Sequence, residues 1–185
     1  MVSTNNLKNG MTLELDGQLW RVDYFQHVKP GKGGAFVRTT LKGVQNGKTV
    51  DRTFRAGEDL TQAILTRRPL QFLYRDSDDL VFMDTETFEQ TPVPASALGD
   101  QARWVKEGDT IELVFHADRV VDVNLPASVE LEVTQTEPGV QGDRVSGATK
   151  PATLETGATA QVPLFINEGE RIRVDTRTGS YISRA

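Results

Sequence analysis

Side chains able to do covalent chemistry are sparse in this sequence. Cysteine is absent, so there is no disulfide, no thiolate nucleophile and no Cys-based zinc site. His27 and His116 are the only histidines, which excludes a His-rich metal centre and most metalloprotease arrangements. Neither has a nearby Ser or Asp that suggests a triad. Gly43-Val-Gln-Asn-Gly47-Lys48-Thr49 resembles a phosphate-binding loop, but three residues separate the glycines where four are needed. Alternating strand residues flank it on both sides, so Asn46-Gly47 reads as a hairpin turn. Ser146, in Asp-Arg-Val-Ser-Gly, lacks the upstream glycine of a nucleophile elbow. Asp76, Asp78, Asp79, Asp84, Glu86 and Glu89 supply carboxylate pairs, but they cluster at a turn and along one polar strand face, as a solvated acidic surface does. These observations speak against an enzyme.

One segment resists that account. Lys29-Pro30-Gly31-Lys32-Gly33-Gly34-Ala35 interrupts two strands, expected at 19–28 and 35–42, and holds no side chain that can anchor a core. Gly31, Gly33 and Gly34 permit positive φ and close approach to a partner. Lys32 therefore stands near a tip, where an ammonium can reach into a narrow anionic channel. A flexible tip with solubilising lysines is the other reading, and physics alone does not separate them. Charge adds a direction. The net charge is −5, yet residues 1–63 carry nine basic and six acidic side chains, whereas 64–126 carry six and twelve, and 127–185 six and eight. Within 29–55, Lys29, Lys32, Arg38, Lys42, Lys48, Arg52 and Arg55 face only Asp51. Such asymmetry fits one end meeting a polyanion while the middle avoids it; a solvated strand face is the alternative. His27 lies beside this segment, within reach of RNA, and His116 reads as a strand end.

The elements that must position these residues are strands. Trp20, Val22 and Tyr24 alternate with polar residues, as do Val121, Val123 and Leu125, then Val129, Leu131 and Val133, then Ile172 and Val174. Asp16-Gly17, Asn46-Gly47, Pro138-Gly139, Glu168-Gly169 and Thr178-Gly179 punctuate them as turns. Many short strands at regular spacing predict sandwiches or barrels. The best helix signal is 58–66, after Gly57 and before Pro69, with a short turn at 94–98. Breaks near 63–69 and at Leu125-Pro126-Ala127 divide the chain into 1–63, 64–126 and 127–185. Each piece is small for a hydrophobic core, which suits barrels. No strict internal repeat is visible. No apolar run is long enough to span a bilayer, and Met-Val-Ser-Thr-Asn-Asn does not open like a signal peptide, so a cytoplasmic protein is expected.

With its basic hairpin, Lys29-Pro-Gly-Lys32-Gly-Gly-Ala-Phe36 resembles the tip of the bacterial elongation factor P family. The resemblance runs the whole length. It continues through Leu73-Tyr74 and Phe82-Met-Asp-Thr-Glu-Thr-Phe-Glu-Gln90, then Gly142-Asp143 and Gly147. It closes with Lys150-Pro-Ala-Thr-Leu-Glu-Thr-Gly157, Val162-Pro-Leu-Phe165 and Val174-Asp-Thr-Arg-Thr-Gly-Ser-Tyr181. Ala160 departs from a branched aliphatic, and Gly-Asp-Arg-Val-Ser-Gly stands where Asp-Thr is more usual, which singles out Arg144. Position 34 varies in the family; position 32 is Lys rather than the Arg of members modified by rhamnose.

The resemblance implies an all-β molecule of three consecutive small barrels, an SH3-like (KOW-like) barrel followed by two OB-folds, in an L-shaped, tRNA-like arrangement. It implies a non-enzymatic elongation factor that binds the 70S ribosome between the P and E sites, stimulates peptidyl transfer and relieves stalling at consecutive prolines. Lys32 would be the post-translationally modified tip, extended by a modifying enzyme; β-lysine and an aminopentanol-type extension are both compatible with Lys. Lys29, Pro30, Gly31, Gly33, Gly34 and Arg38 would meet P-site peptidyl-tRNA and rRNA. Gly142, Asp143, Arg144 and Gly147 would meet RNA at the small subunit. The acidic middle would turn from rRNA or toward a ribosomal protein. No metal, cofactor or membrane is implied, and a monomer is expected. A generic single-stranded RNA-binding module, a small acidic-cleft hydrolase and a paralogue with a changed role are the competing readings. Only 7% aromatic residues and the net negative charge weigh against the first, the missing nucleophile and metal ligands against the second, and the intact Lys32 tip against the third.

Overall fold

A computed structural model of the chain describes residues 1–139 and 147–185. Period-two alternation becomes strands throughout. β1 (Val2–Ser3), β2 (Thr12–Leu15), β3 (Gln18–Val28), β4 (Phe36–Gly43), β5 (Thr49–Arg55) and β6 (Asp59–Ala63) join in the order β1-β6-β2-β3-β4-β5. The β2–β3 hairpin turns at Asp16-Gly17, whose φ values of 53° and 75° are the paired positive angles that match the right-handed strand twist. Leu13, Val22, Val37, Leu41, Phe54 and Leu60 fill the core of this sheet.

The expected helix over 58–66 is not there. Leu60 and Ala63 have helical spacing, but the segment is extended: Leu60 pairs with Val2, and Ala63 with Thr12. Burial of both residues through pairing with distant strands outweighs a weak local preference. The strand itself is not interrupted at Arg67-Arg68-Pro69. β7 (Leu65–Asp76) runs through it, and the proline is tolerated because pairing with the next strand begins only at Gln71.

β8 (Asp79–Met83), β9 (Gln90–Pro94), β10 (Thr110–His116) and β11 (Arg119–Asn124) complete a second sheet with β7, in the order β11-β10-β7-β8-β9. The turn expected at 94–98 is the short α1 (Ala95–Leu98), followed by a 3-10 segment, Gly99–Trp104. β12 (Ser128–Thr136), β13 (Thr149–Leu154), β14 (Thr159–Pro163), β15 (Arg171–Asp175) and β16 (Tyr181–Arg184) form the third sheet, ordered β14-β13-β12-β15-β16. Both five-stranded sheets thus place their third, second, first, fourth and fifth strands side by side. The repeat is one of topology, which explains why no sequence repeat shows. In the third sheet β14 also approaches β16, curling the sheet toward closure.

The backbone groups into two compact units, Met1–Arg68 with Val114–Asp122, and Pro69–Leu113 with Val123–Ala185. In the first, Leu19, Ala63, Val114 and Val121 form a second small core. In the other, Leu131, Val133, Leu154, Val162, Ile166 and Ile172 enclose Trp104. Ala160, expected to pack less well than a branched residue, is buried in that core too. Lys150 is also buried there, and its ammonium donates to the Glu137 carbonyl oxygen. Among the described residues, no helix is long and apolar enough to cross a membrane.

Candidate nucleic-acid interface

The long β3–β4 hairpin carries the tip. Its last cross-strand pair is Val28 with Phe36, and every residue from Lys29 to Gly34 beyond it is exposed. Of the three tip glycines, only Gly33 uses a positive φ, +116°. Gly31 and Gly34 do not, and a side chain on either would meet nothing within 4 Å. All three permit a positive φ, and one uses it. Gly33 re-aims the chain immediately after Lys32, so the conformation no L-residue adopts readily is the one that sets where the Lys32 ammonium goes. Pro30 fixes its own φ on the other flank, and its ring lies 3.8 Å from where a Cβ on Gly33 would stand.

Behind the tip, the register sorts the basic residues by face. Side chains directly opposite in antiparallel strands share a face. One face reads Val28–Phe36–Arg55, Gln26–Arg38–Thr53, Tyr24–Thr40–Asp51 and Arg21–Lys42–Thr49 across β3, β4 and β5. The other carries buried Val22, Val37, Leu41 and Phe54. Arg38 and Lys42 are thus on the outer face with Arg55, two aromatics among them. The Arg38 guanidinium stands 6.0 Å from the centre of the Phe36 ring. Asp51, the single acid of the segment, is occupied by the Thr40 hydroxyl, which donates to it at 2.8 Å. Arg21 pairs with Asp23 at 2.9 Å, and Arg52, on the opposite face, with Asp16 at 2.8 Å. Lys29, Lys32, Arg38, Lys42, Lys48 and Arg55 have no carboxylate partner among the described residues. An unpaired basic face interleaved with aromatics can bind phosphates and stack on bases.

Tyr24 and Phe36 are the members that sequence reasoning missed. Alternation with Trp20 and Val22 put Tyr24 on the core face. A bulge between Val22 and Tyr24 shifts the register, turning Tyr24 to the outer face, where it is 54% exposed. His27 is exposed but lies on the face opposite Arg38, paired with Val37 and edge-on to Phe25 at 5.7 Å. Asn46-Gly47 is a hairpin turn as expected: Gly47 N–H donates to the Gly43 carbonyl at 2.9 Å. His116 ends β10, as read.

The second predicted cluster is largely outside this description. Gly142, Asp143 and Arg144 lie outside the described residues. Gly147 is exposed, with φ +89°, two residues before β13, in the other compact unit from the tip. Of the acids of 76–89, Asp76 and Asp79 close the β7–β8 turn, and Asp84 accepts the backbone N–H groups of Glu86 and Thr87 at 2.8 and 3.1 Å.

Comparison with known proteins adds the following. Residues 3–60 match the family model described as Elongation factor P (EF-P) KOW-like domain, 65–123 the Elongation factor P (EF-P) OB domain, and 129–184 Elongation factor P, C-terminal. The chain is 58% identical over 185 residues to Elongation factor P of Acidothermus cellulolyticus, covering 100% of this chain and 99% of the relative. It is 56% identical to that of Mycobacterium avium, at 100% and 98% coverage. Among solved structures, Eukaryotic translation initiation factor 5A from Methanococcus jannaschii superposes with a TM-score of 0.53 at 23% identity, over 66% of this chain and 92% of that one. That likeness bears on the fold alone and agrees with the KOW-like and OB domains matched over 3–60 and 65–123.

Proposed function

Because this chain belongs to the elongation factor P family, we propose that it acts between the ribosomal P and E sites, where it speeds peptidyl transfer and relieves stalling at consecutive prolines. It is a translation elongation factor that does no covalent chemistry of its own. The observation that carries this reading is Lys32, exposed beyond the last pair of the β3–β4 hairpin, at the end of an unpaired basic face. Proline is a poor nucleophile and a stiff chain element, so transfer between prolyl partners is slow. Lys32, extended by its modifying enzyme, touches the backbone of the P-site tRNA acceptor end and holds it in a near-attack geometry, removing an entropic barrier. Lys29, Arg38 and their neighbours grip phosphate and set the register of the barrel. Each tenfold in rate requires only about 1.4 kcal/mol, which a few ordered contacts supply. Arg144 and Gly147, with Gly142 and Asp143, contact RNA of the small subunit. The protein works as a cytoplasmic monomer without a cofactor.

The test is peptide yield from a Pro-Pro-Pro reporter in a reconstituted translation system, with the modification of Lys32 verified by mass. Native protein should restore synthesis and Lys32→Ala should not, while both melt at the same temperature. Full rescue by Lys32→Ala would refute the mechanism.

A further inference from the structure

The loop between β8 and β9 presents an aromatic ring to solvent on a locked backbone. Phe88 is 70% exposed, and its φ is +60°. Three other non-glycine residues have positive φ among the described residues, Asp16, Ser77 and Ala117, and all are small or polar turn residues. A bulky residue in this region is an outlier that glycine or asparagine would relieve. The conformation is nevertheless fixed from several sides. Phe88 N–H donates to the Asp84 carbonyl at 2.8 Å, and Asp84 N–H to the Glu89 carbonyl at 3.0 Å. The Asp84 carboxylate takes the N–H groups of Glu86 and Thr87 at 2.8 and 3.1 Å, and the Thr87 hydroxyl that of Glu89 at 3.4 Å. The loop is therefore ordered before any partner arrives, and the ring that strains it contributes little burial in return. Rigid, exposed aromatics are the side chains that anchor protein interfaces, because little entropy is lost when they seat.

We propose that Phe88 is such an anchor, seating in an apolar pocket rimmed by Lys or Arg on a protein of the ribosome. Charge selects protein over RNA. Glu86 and Glu89 flank the ring, both exposed, and residues 64–126 hold twelve acidic side chains against six basic ones. Phosphate oxygens would be repelled at this loop, whereas proteins that live among rRNA carry an excess of cationic side chains. The inference rests on the ribosome-binding reading above and adds a second contact, made by a different element from the tip and of opposite charge.

A diazirine-bearing phenylalanine analogue placed at position 88 of the full chain, irradiated on purified 70S ribosomes, tests it. The expected product is a crosslink to a ribosomal protein, mapped by mass to a segment containing Lys or Arg. Phe88→Asn should melt no lower than the native chain, because asparagine accepts this backbone, yet bind ribosomes at least about tenfold more weakly. Phe88→Tyr should stay within about twofold. Crosslinking to rRNA alone, no crosslink from a ribosome-bound chain, or unchanged affinity of Phe88→Asn each overturns the anchor and leaves the tip mechanism standing. A native chain that fails to sediment with ribosomes overturns both.

Discussion

Gly179 lies against the indole of Trp104: a Cβ placed on it would stand 3.2 Å from Trp104 Cζ2. Trp104 ends the 3-10 segment that follows the second sheet's third strand, yet its ring is 1% exposed within the third sheet's core. Gly179 sits in the β15–β16 turn at φ +74°, so a single residue type meets two demands, the backbone angle and the missing side chain.

The pair predicts stability effects of different size. Trp104→Ala should cost about 3–5 kcal/mol, the usual loss for emptying a large aromatic site. Gly179→Ala should cost about 1–3 kcal/mol from positive φ and overpacking together. Urea unfolding followed by circular dichroism measures both. A cost below about 0.5 kcal/mol for Gly179→Ala would mean that the turn relaxes freely away from the ring.

The tip yields a prediction about which glycine matters. Gly33→Ala should lower rescue of a Pro-Pro-Pro reporter, because its φ of +116° excludes alanine, whereas Gly31→Ala and Gly34→Ala should act close to native. All three should leave the melting temperature within about 1 °C, since the tip is exposed and carries no core contact. The extent of Lys32 modification, read by intact mass, separates poor modification from poor action. Equal activity of the three variants would show that the tip samples many conformations on the ribosome.

How far the sequence could be read follows from which forces are local. Alternating Val121-Val123, Val129-Leu131-Val133 and Ile172-Val174 announced their strands, because period two is a local property and these strands bury one face. Residues 58–66 misled because Leu60 gains its burial from Val2, a partner far off in the chain that no local window contains. Tyr24 misled for a related reason: one bulge, invisible as composition, reverses every side chain after it. The Lys32 tip was legible as a loop with nothing to bury. That only Gly33 bends it is a property of the closed hairpin, not of the letters Gly-Lys-Gly-Gly.

Acid stability should depend on a turn carboxylate. Backbone N–H groups of Thr178 and Arg177 hold the Asp175 carboxyl below the ordinary aspartate range, donating at 3.0 and 2.7 Å. A depressed folded-state pKa means that the unfolded chain takes up the proton first as pH falls. The contribution is therefore fully present above the ordinary aspartate value, about pH 4, and is lost as pH drops through the lower folded value. Asp175→Asn should flatten that part of the profile, narrowing its stability gap to native as pH falls from 6 to 2. Urea midpoints at those two pH values test this, and a gap that stays constant would show that Asp175 titrates alike in both states. Glu130, lowered by the side-chain hydrogen bond from Arg173 at 2.7 Å and by its charge, should shift in the same direction, and NMR titration separates the two groups.

The outer face of the first sheet should reveal itself through salt. Arg38, Lys42 and Arg55 have no carboxylate partner among the described residues, and all three are exposed. Removing them one at a time to Ala should change folding stability by no more than about 0.5 kcal/mol. If each neutralises one phosphate, each loss should weaken ribosome binding and reduce the slope of log affinity against log salt by roughly 0.7–0.9. Tyr24→Ala and Phe36→Ala should behave differently, weakening binding by about 1–3 kcal/mol per stacked base while leaving the salt slope in place. Binding titrations at several salt concentrations distinguish the two patterns. A face whose arginines and lysine can be removed without moving the slope is a solvated strand surface, and the phosphate grip would then belong to Lys29 and Lys32 at the tip.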